Sequence, residues 1–111
     1  MPKEEPNQRG HFRIEYPRQE RPALVLHDQA LEVVDCSESG LRYVLPSEEP
    51  VPQIGSEVRG VLRFHGGEEV NVEGVVSRLD GPTAAVLLSG GEIPFAIILR
   101  EQQSLRRRYP H

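Results

Sequence analysis

Apolar and polar residues alternate in short runs over most of the chain, and the period changes only near its end. The runs ALVLH (23–27) and ALEVVD (30–35) have strand length, and Asp28-Gln29 between them predicts a tight turn. In LRYVL (41–45), Leu41, Tyr43 and Leu45 alternate with Arg42 and Val44, the two-residue period of a strand. The segment 46–56 carries three prolines and reads as a loop. Residues 57–65 put Val58, Leu62 and Phe64 on one face and Arg59 and Arg63 on the other. Gly66-Gly67 predicts a hairpin turn into 69–79, where Val70, Val72 and Val76 share a side. Gly74 inside that strand suggests a bend or bulge. Asp80-Gly81-Pro82 is a further turn signal, and Thr83–Leu88 is the sixth strand.

Both ends depart from this period. Residues 1–10 are polar, contain two prolines and read as a flexible arm. Residues 11–22 are mixed and extended, with Pro17 and Pro22 opposing helix. From Pro94 onward Phe95, Ile98, Leu99, Leu105 and Tyr109 recur at helical spacing, with Pro94 suited to a first helical position. Arg106–Arg108 complement the dipole at the helix end.

Six short antiparallel strands lose their exposed edges by closing into a barrel. The predicted fold is therefore mostly β, a six-stranded antiparallel barrel over about 21–90 with a C-terminal helix over about 93–109. A flexible arm at 1–10 precedes a single domain at 11–111. The helix has an apolar stripe to bury and is expected to pack across the barrel or extend from it.

Composition narrows the function. At 111 residues the chain has room for one modest core. No stretch is apolar enough to span a membrane, and MPKEEPNQRG lacks the apolar centre of a secretory signal. A single cysteine, Cys36, excludes an internal disulfide, and the expected compartment is the reducing cytoplasm. The net charge of −4 argues against binding to DNA or acidic membranes. An aromatic content of 5% without tryptophan offers few platforms for stacking single-stranded nucleic acid. Of the 13 basic residues only Lys3 is a lysine. Arginine is the base that grips phosphate or a guanine edge with two bonds.

Two groups of residues can carry chemistry. Arg9 and Arg13 place two guanidiniums four residues apart at the edge of the arm. Asp35, Ser37 and Gly40 place an acidic acceptor, a hydroxyl and a turn-forming glycine at a strand end. Arginine bonds the O6/N7 edge of guanine and pairs with phosphate. Aspartate accepts from the N1–H and N2–H₂ donors of guanine. Together they make a chemically sensible clamp for a guanine nucleotide.

Arg9-x-x-x-Arg13, followed by Asp35-x-Ser37-x-x-Gly40, resembles the paired signature of the PilZ domain family, and the strand-and-helix order is similar over nearly the whole chain. The resemblance implies a bacterial receptor for the second messenger cyclic di-GMP. In that family the arginines hold guanine and phosphate from a flexible N-terminal segment, and the turn completes the pocket. Those roles fall here on Arg9, Arg13, Asp35, Ser37 and Gly40. Many relatives carry another arginine where this chain has Gln8, which bears on stoichiometry, and often a second glycine where it has Leu41. Arg78 is a further candidate from a neighbouring strand. A one-domain receptor has no output module, so its signal is expected to pass to an effector protein.

Other chemistry is weakly represented. Cys36 in the turn motif reads as a small buried filler, since no histidine is near it in sequence to activate a thiolate. His11 and His27 lack metal-ligand spacing, and no carboxylate pair has catalytic spacing. Phe12 suits either stacking on a base or anchoring the arm. The expectation is a non-enzyme without metal or cofactor. The alternative is a barrel of the same fold that acts as a protein-interaction adaptor and binds no nucleotide.

Overall fold

The computed structural model describes residues 13–89 and 93–110. The predicted arm at 1–10, with Arg9 and Gln8, and the neighbouring His11 and Phe12 lie outside the described residues. Seven strands and one α-helix follow in order among those described. They are β1 (Ile14–Glu15), β2 (Ala23–Leu26), β3 (Gln29–Cys36), β4 (Gly40–Val44), β5 (Glu57–Arg63), β6 (Glu69–Asp80), β7 (Thr83–Leu88) and α1 (Phe95–Arg108). All pairings are antiparallel, in the order β1-β3-β2-β5-β6-β7-β4 with β4 returning to β3. The β3–β4 ladder closes β2 to β7 into a six-stranded barrel. The two-residue β1 adds to the end of β3, pairing Ile14 with Cys36 and Glu15 with Asp35.

The six barrel strands fall where alternation places them, because closure buries one face of every strand. Val58, Leu62 and Phe64 point inward together with Leu24, Val33, Tyr43, Val72, Val76 and Val86. Arg59 and Arg63 stand on the outer face and pair across the ladder with Glu73 and Glu69.

Several local expectations change. The β2–β3 turn is His27-Asp28 rather than Asp28-Gln29, because Leu26 pairs with Gln29, and His27 takes a φ of 56°. The irregularity in β6 lies between Val76 and Arg78, not at Gly74. Gly74 answers a different demand: a Cβ there would sit 2.2 Å from the Leu87 carbonyl oxygen of β7. The segment 11–22 supplies β1 and a short 3-10 turn at Arg18–Glu20. Pro17 caps that turn and does not prevent it, since a fixed φ fits a helical first turn.

Pro94 likewise takes the cap position of α1, with φ −57° and ψ 138°, rather than the first helical position. The helix lies against β1. Ile98 is fully buried and Leu105 partly so, while Phe95 and Leu99 are 48% and 39% exposed. The apolar stripe is therefore only half used against the barrel. Polar contacts finish the docking. The Tyr16 hydroxyl donates to Glu101 Oε1 at 2.7 Å, Gln19 donates to the Tyr109 hydroxyl, and Arg108 pairs with Glu20.

Candidate functional site

Asp35 is the centre of the site. The ladder between β3 and β4 slips by one residue at Val34, which sets Asp35 directly opposite Arg42. The slip comes two residues before the strand ends, so Asp35 and Cys36 belong to β3 itself rather than to the turn that follows it. Asp35 is 1% exposed, yet both carboxylate oxygens have a cation. Arg13 Nη1 lies 2.9 Å from Oδ1, and Arg42 Nη2 lies 2.8 Å from Oδ2. A buried carboxylate needs such partners, because an isolated charge out of water is costly by several kcal/mol, on the order of 3–5. Arg42 Nη1 also reaches Asp80 Oδ2 at 3.5 Å, which Arg78 Nη2 approaches at the same distance.

The turn after β3 is built by the backbone. Ser37 N–H donates to the Gly40 carbonyl, Leu88 N–H to the Ser39 carbonyl and Ile93 N–H to the Glu38 carbonyl. Gly40 begins β4 against β7, where a Cβ would meet the Val86 carbonyl oxygen at 2.9 Å. Beside this turn runs a groove of about 430 Å³ lined by Arg13, Ser37, Ser39, Gly40, Ser77 and Arg78, with Leu87 at its edge. Its walls offer two guanidiniums, three hydroxyls and an apolar shelf. Such a surface suits a planar, anionic, polar ligand.

The sequence matches the family model for the PilZ domain over residues 7–107. The chain belongs to the PilZ domain family. No curated protein matches it. Among solved structures, the inhibitor of motility of Bacillus subtilis (MotI/DgrA) shares the fold with a TM-score of 0.61 at 17% identity. That match covers 86% of this chain and 49% of the other, so this chain spans about half the length of its neighbour. PilZ domains are a receptor and adaptor family for cyclic di-GMP, not a family of enzymes.

Of the residues that carry the PilZ signature, Arg13, Ser37 and Gly40 line one groove, and Asp35 is bonded to Arg13 beside it. Arg9 lies outside the described residues. Arg78, considered from strand phase alone, lines the same groove. The alternation in 41–45 gives Arg42 no role beyond its phase opposite Leu41, Tyr43 and Leu45. The missing signal was the cross-strand partner: a charge on β4 facing an aspartate on β3 becomes visible only once the slip at Val34 is known.

Cys36, the last residue of β3, is fully buried. Burial pushes its thiol up to about 12, with the nearby Glu101 and Asp35 charges adding to the rise and the Tyr16 hydrogen bond opposing it. The Tyr16 hydroxyl lies 3.7 Å from its sulfur. Such a thiol is protonated at neutral pH and has no nucleophilic character, which matches the reading of Cys36 as a filler. Among the described residues no group of three or more His, Cys, Asp or Glu side chains is placed to hold a metal ion, and no helix is long and apolar enough to cross a membrane.

Proposed function

We propose that this PilZ domain is a receptor for cyclic di-GMP, held by Arg9, Arg13, Asp35, Ser37 and Gly40. The single observation that carries the reading is the groove shared by Arg13, Ser37 and Gly40, with the Asp35 carboxylate alongside. Each group has a partner on the ligand. Arg13 is half exposed and long enough to turn from Asp35 to a phosphate or a guanine edge. Asp35 accepts from the N–H donors of guanine. Ser37 supplies a hydroxyl, and Gly40 keeps the turn against β7. Arg78 lines the same groove as a second cation.

In this reading the arm at 1–10 brings Arg9 to the bound nucleotide. Fixing each residue of the arm costs about 1–2 kcal/mol, which only charge-assisted contacts to phosphates and guanines offset. The turn transmits the event, because its carbonyls accept from Leu88 of β7 and from Ile93 at the approach to α1. An effector protein reads the result.

The test is calorimetric titration of cyclic di-GMP into the full chain and into Arg9→Ala, Arg13→Ala and Ser37→Ala. Loss of a charge-assisted contact costs about 1.5–3 kcal/mol, so the arginine variants are expected to weaken binding about ten- to a hundredfold. Limited proteolysis checks the engagement of the arm: segment 1–20 gains protection at saturating nucleotide. A wild-type protein that gives no heat leaves the adaptor reading in its place.

A further inference from the structure

We propose that Arg42 is the standing counter-ion of Asp35, keeping that buried carboxylate charged and aimed when Arg13 leaves it for the nucleotide. The inference rests on the receptor reading above, but the geometry behind it is independent of any ligand. Asp35 has two cations that differ in freedom. Arg13 precedes the two-residue β1, its side chain is 52% exposed, and it lines the groove. Arg42 sits mid-strand in β4, paired with Asp35 on one side and Ala85 of β7 on the other, with its side chain 28% exposed. One cation can swing out, and the other is held by two ladders.

A mobile Arg13 alone would make the site self-defeating. Turning it to the ligand would strip the last positive charge from a carboxylate with almost no access to water, which would then take up a proton. Protonated, Asp35 no longer offers an anionic acceptor to guanine. Arg42 removes that conflict because its bond to Oδ2 leaves Oδ1, the oxygen that Arg13 vacates, free for the ligand. The remaining charged or titratable groups around Asp35 do not replace it. Glu15 is its exposed β1 partner, the Cys36 thiol adjoins it, and Arg78 and Asp80 connect to it through Arg42. Arg42 Nε is buried with no hydrogen-bond partner among the described residues, so the side chain is held by its charge pairs rather than by a saturated set of donors.

Two measurements test this. The first needs no ligand: urea unfolding of Arg13→Ala, of Arg13→Ala with Arg42→Met, and of that double variant with Asp35→Asn. In Arg13→Ala, Arg42 still holds the carboxylate. In the double variant native Asp35 binds a proton that the unfolded chain releases, so stability falls as pH rises. The urea midpoint of the double variant relative to Arg13→Ala is expected to drop by about 1 M between pH 5.5 and 8.0. Asp35→Asn abolishes the drop. A double variant whose offset from Arg13→Ala is the same at both pH values overturns the proposal.

The second is calorimetry with cyclic di-GMP in buffers of different ionisation heat. Arg42→Met is expected to take up close to one proton on binding at pH 5.5, fading toward none at pH 8.0, and to weaken about tenfold over that range, whereas wild type does neither and Arg42→Lys restores wild-type behaviour. Binding by Arg42→Met without proton uptake also overturns the role of Arg42. Failure of the wild type to bind overturns the receptor reading instead, and the stability series still decides whether Arg42 holds Asp35.

Discussion

Inside the barrel Leu24, Val33, Leu62 and Phe64 meet with 2% exposure or less, whereas α1 fully buries only Ile98, packs Ile97 and Leu105 partly against the core and adds polar contacts around them. The two regions are held by different physics. The barrel is closed by six ladders around one apolar interior, and apart from the buried Asp35 its charged residues are partly or fully exposed. The helix is fastened to the strand-poor stretch 14–20 through Tyr16–Glu101, Gln19–Tyr109 and Arg108–Glu20, with Arg100 to Glu68 on the β5–β6 hairpin. Burial of apolar surface carries no charge to screen or titrate, while ionic and titratable contacts respond to both ionic strength and pH. The barrel is thus a rigid platform for the Asp35 site, and the helix is the part whose attachment can be adjusted.

The largest effect expected is on the platform. Leu62 is fully buried, opposite Leu24 of β2 and Val70 of β6. Leu62→Ala removes packing on both sides of the ladder and should cost about 2–5 kcal/mol in urea unfolding. It should lower the stability of the whole chain in one transition. A cost below 1 kcal/mol, or a second transition in which the site unfolds alone, would show that the barrel is not a single cooperative unit.

A smaller and local effect is expected at the helix. Ile98→Ala empties the main apolar contact of α1, and about 2 kcal/mol of docking free energy goes with it. Cys36 reports this directly, because Tyr16 covers its sulfur and the thiol is buried and protonated. Labelling of Cys36 by a thiol reagent at pH 8 should be slow in the wild type and at least about tenfold faster in Ile98→Ala, through local opening of β1 and α1. Equal labelling rates would mean that access to Cys36 runs through global unfolding, and the contrast between platform and attachment would fail.

The same contrast explains what sequence could show. All six barrel strands were legible, because closure forces a two-residue period and each has four residues or more on which to display it. The two-residue β1 displays no period, so Ile14 and Tyr16, both buried, passed as part of an irregular segment. The helical spacing of Phe95, Ile98 and Leu99 was visible, but not which of them the barrel takes. That depends on where β1 lies. At the site, Arg13, Ser37 and Gly40 were legible as types at a spacing. Arg42 was not, since the slip at Val34 that brings it to Asp35 leaves no mark in the pattern of apolar residues. Nor was Tyr16–Glu101, whose partners are 85 residues apart.

The smallest effect expected concerns pH. Glu101 is half buried on α1, and loss of solvent raises its carboxyl above the ordinary carboxylate range. The Tyr16 hydrogen bond opposes that rise, Glu68 adds to it, and His65 and Arg100 oppose it. A raised acid in the folded state means that the native protein holds a proton the unfolded chain has already lost. Its contribution is therefore fully present below the unfolded value and fades as pH climbs through the folded one. Docking of α1 should tighten slightly as pH falls from neutral toward the usual carboxylate range, before general acid unfolding sets in. Glu101→Gln keeps an oxygen to accept from Tyr16 but cannot titrate, so it should flatten this part of the profile. The difference from wild type should stay below about 1 kcal/mol, the scale of one hydrogen bond. Thermal unfolding of both proteins across pH 4.5 to 8 measures it. A constant offset between the two curves would mean that Glu101 is no more protonated in the fold than in the open chain, and that the helix is attached by a contact blind to pH.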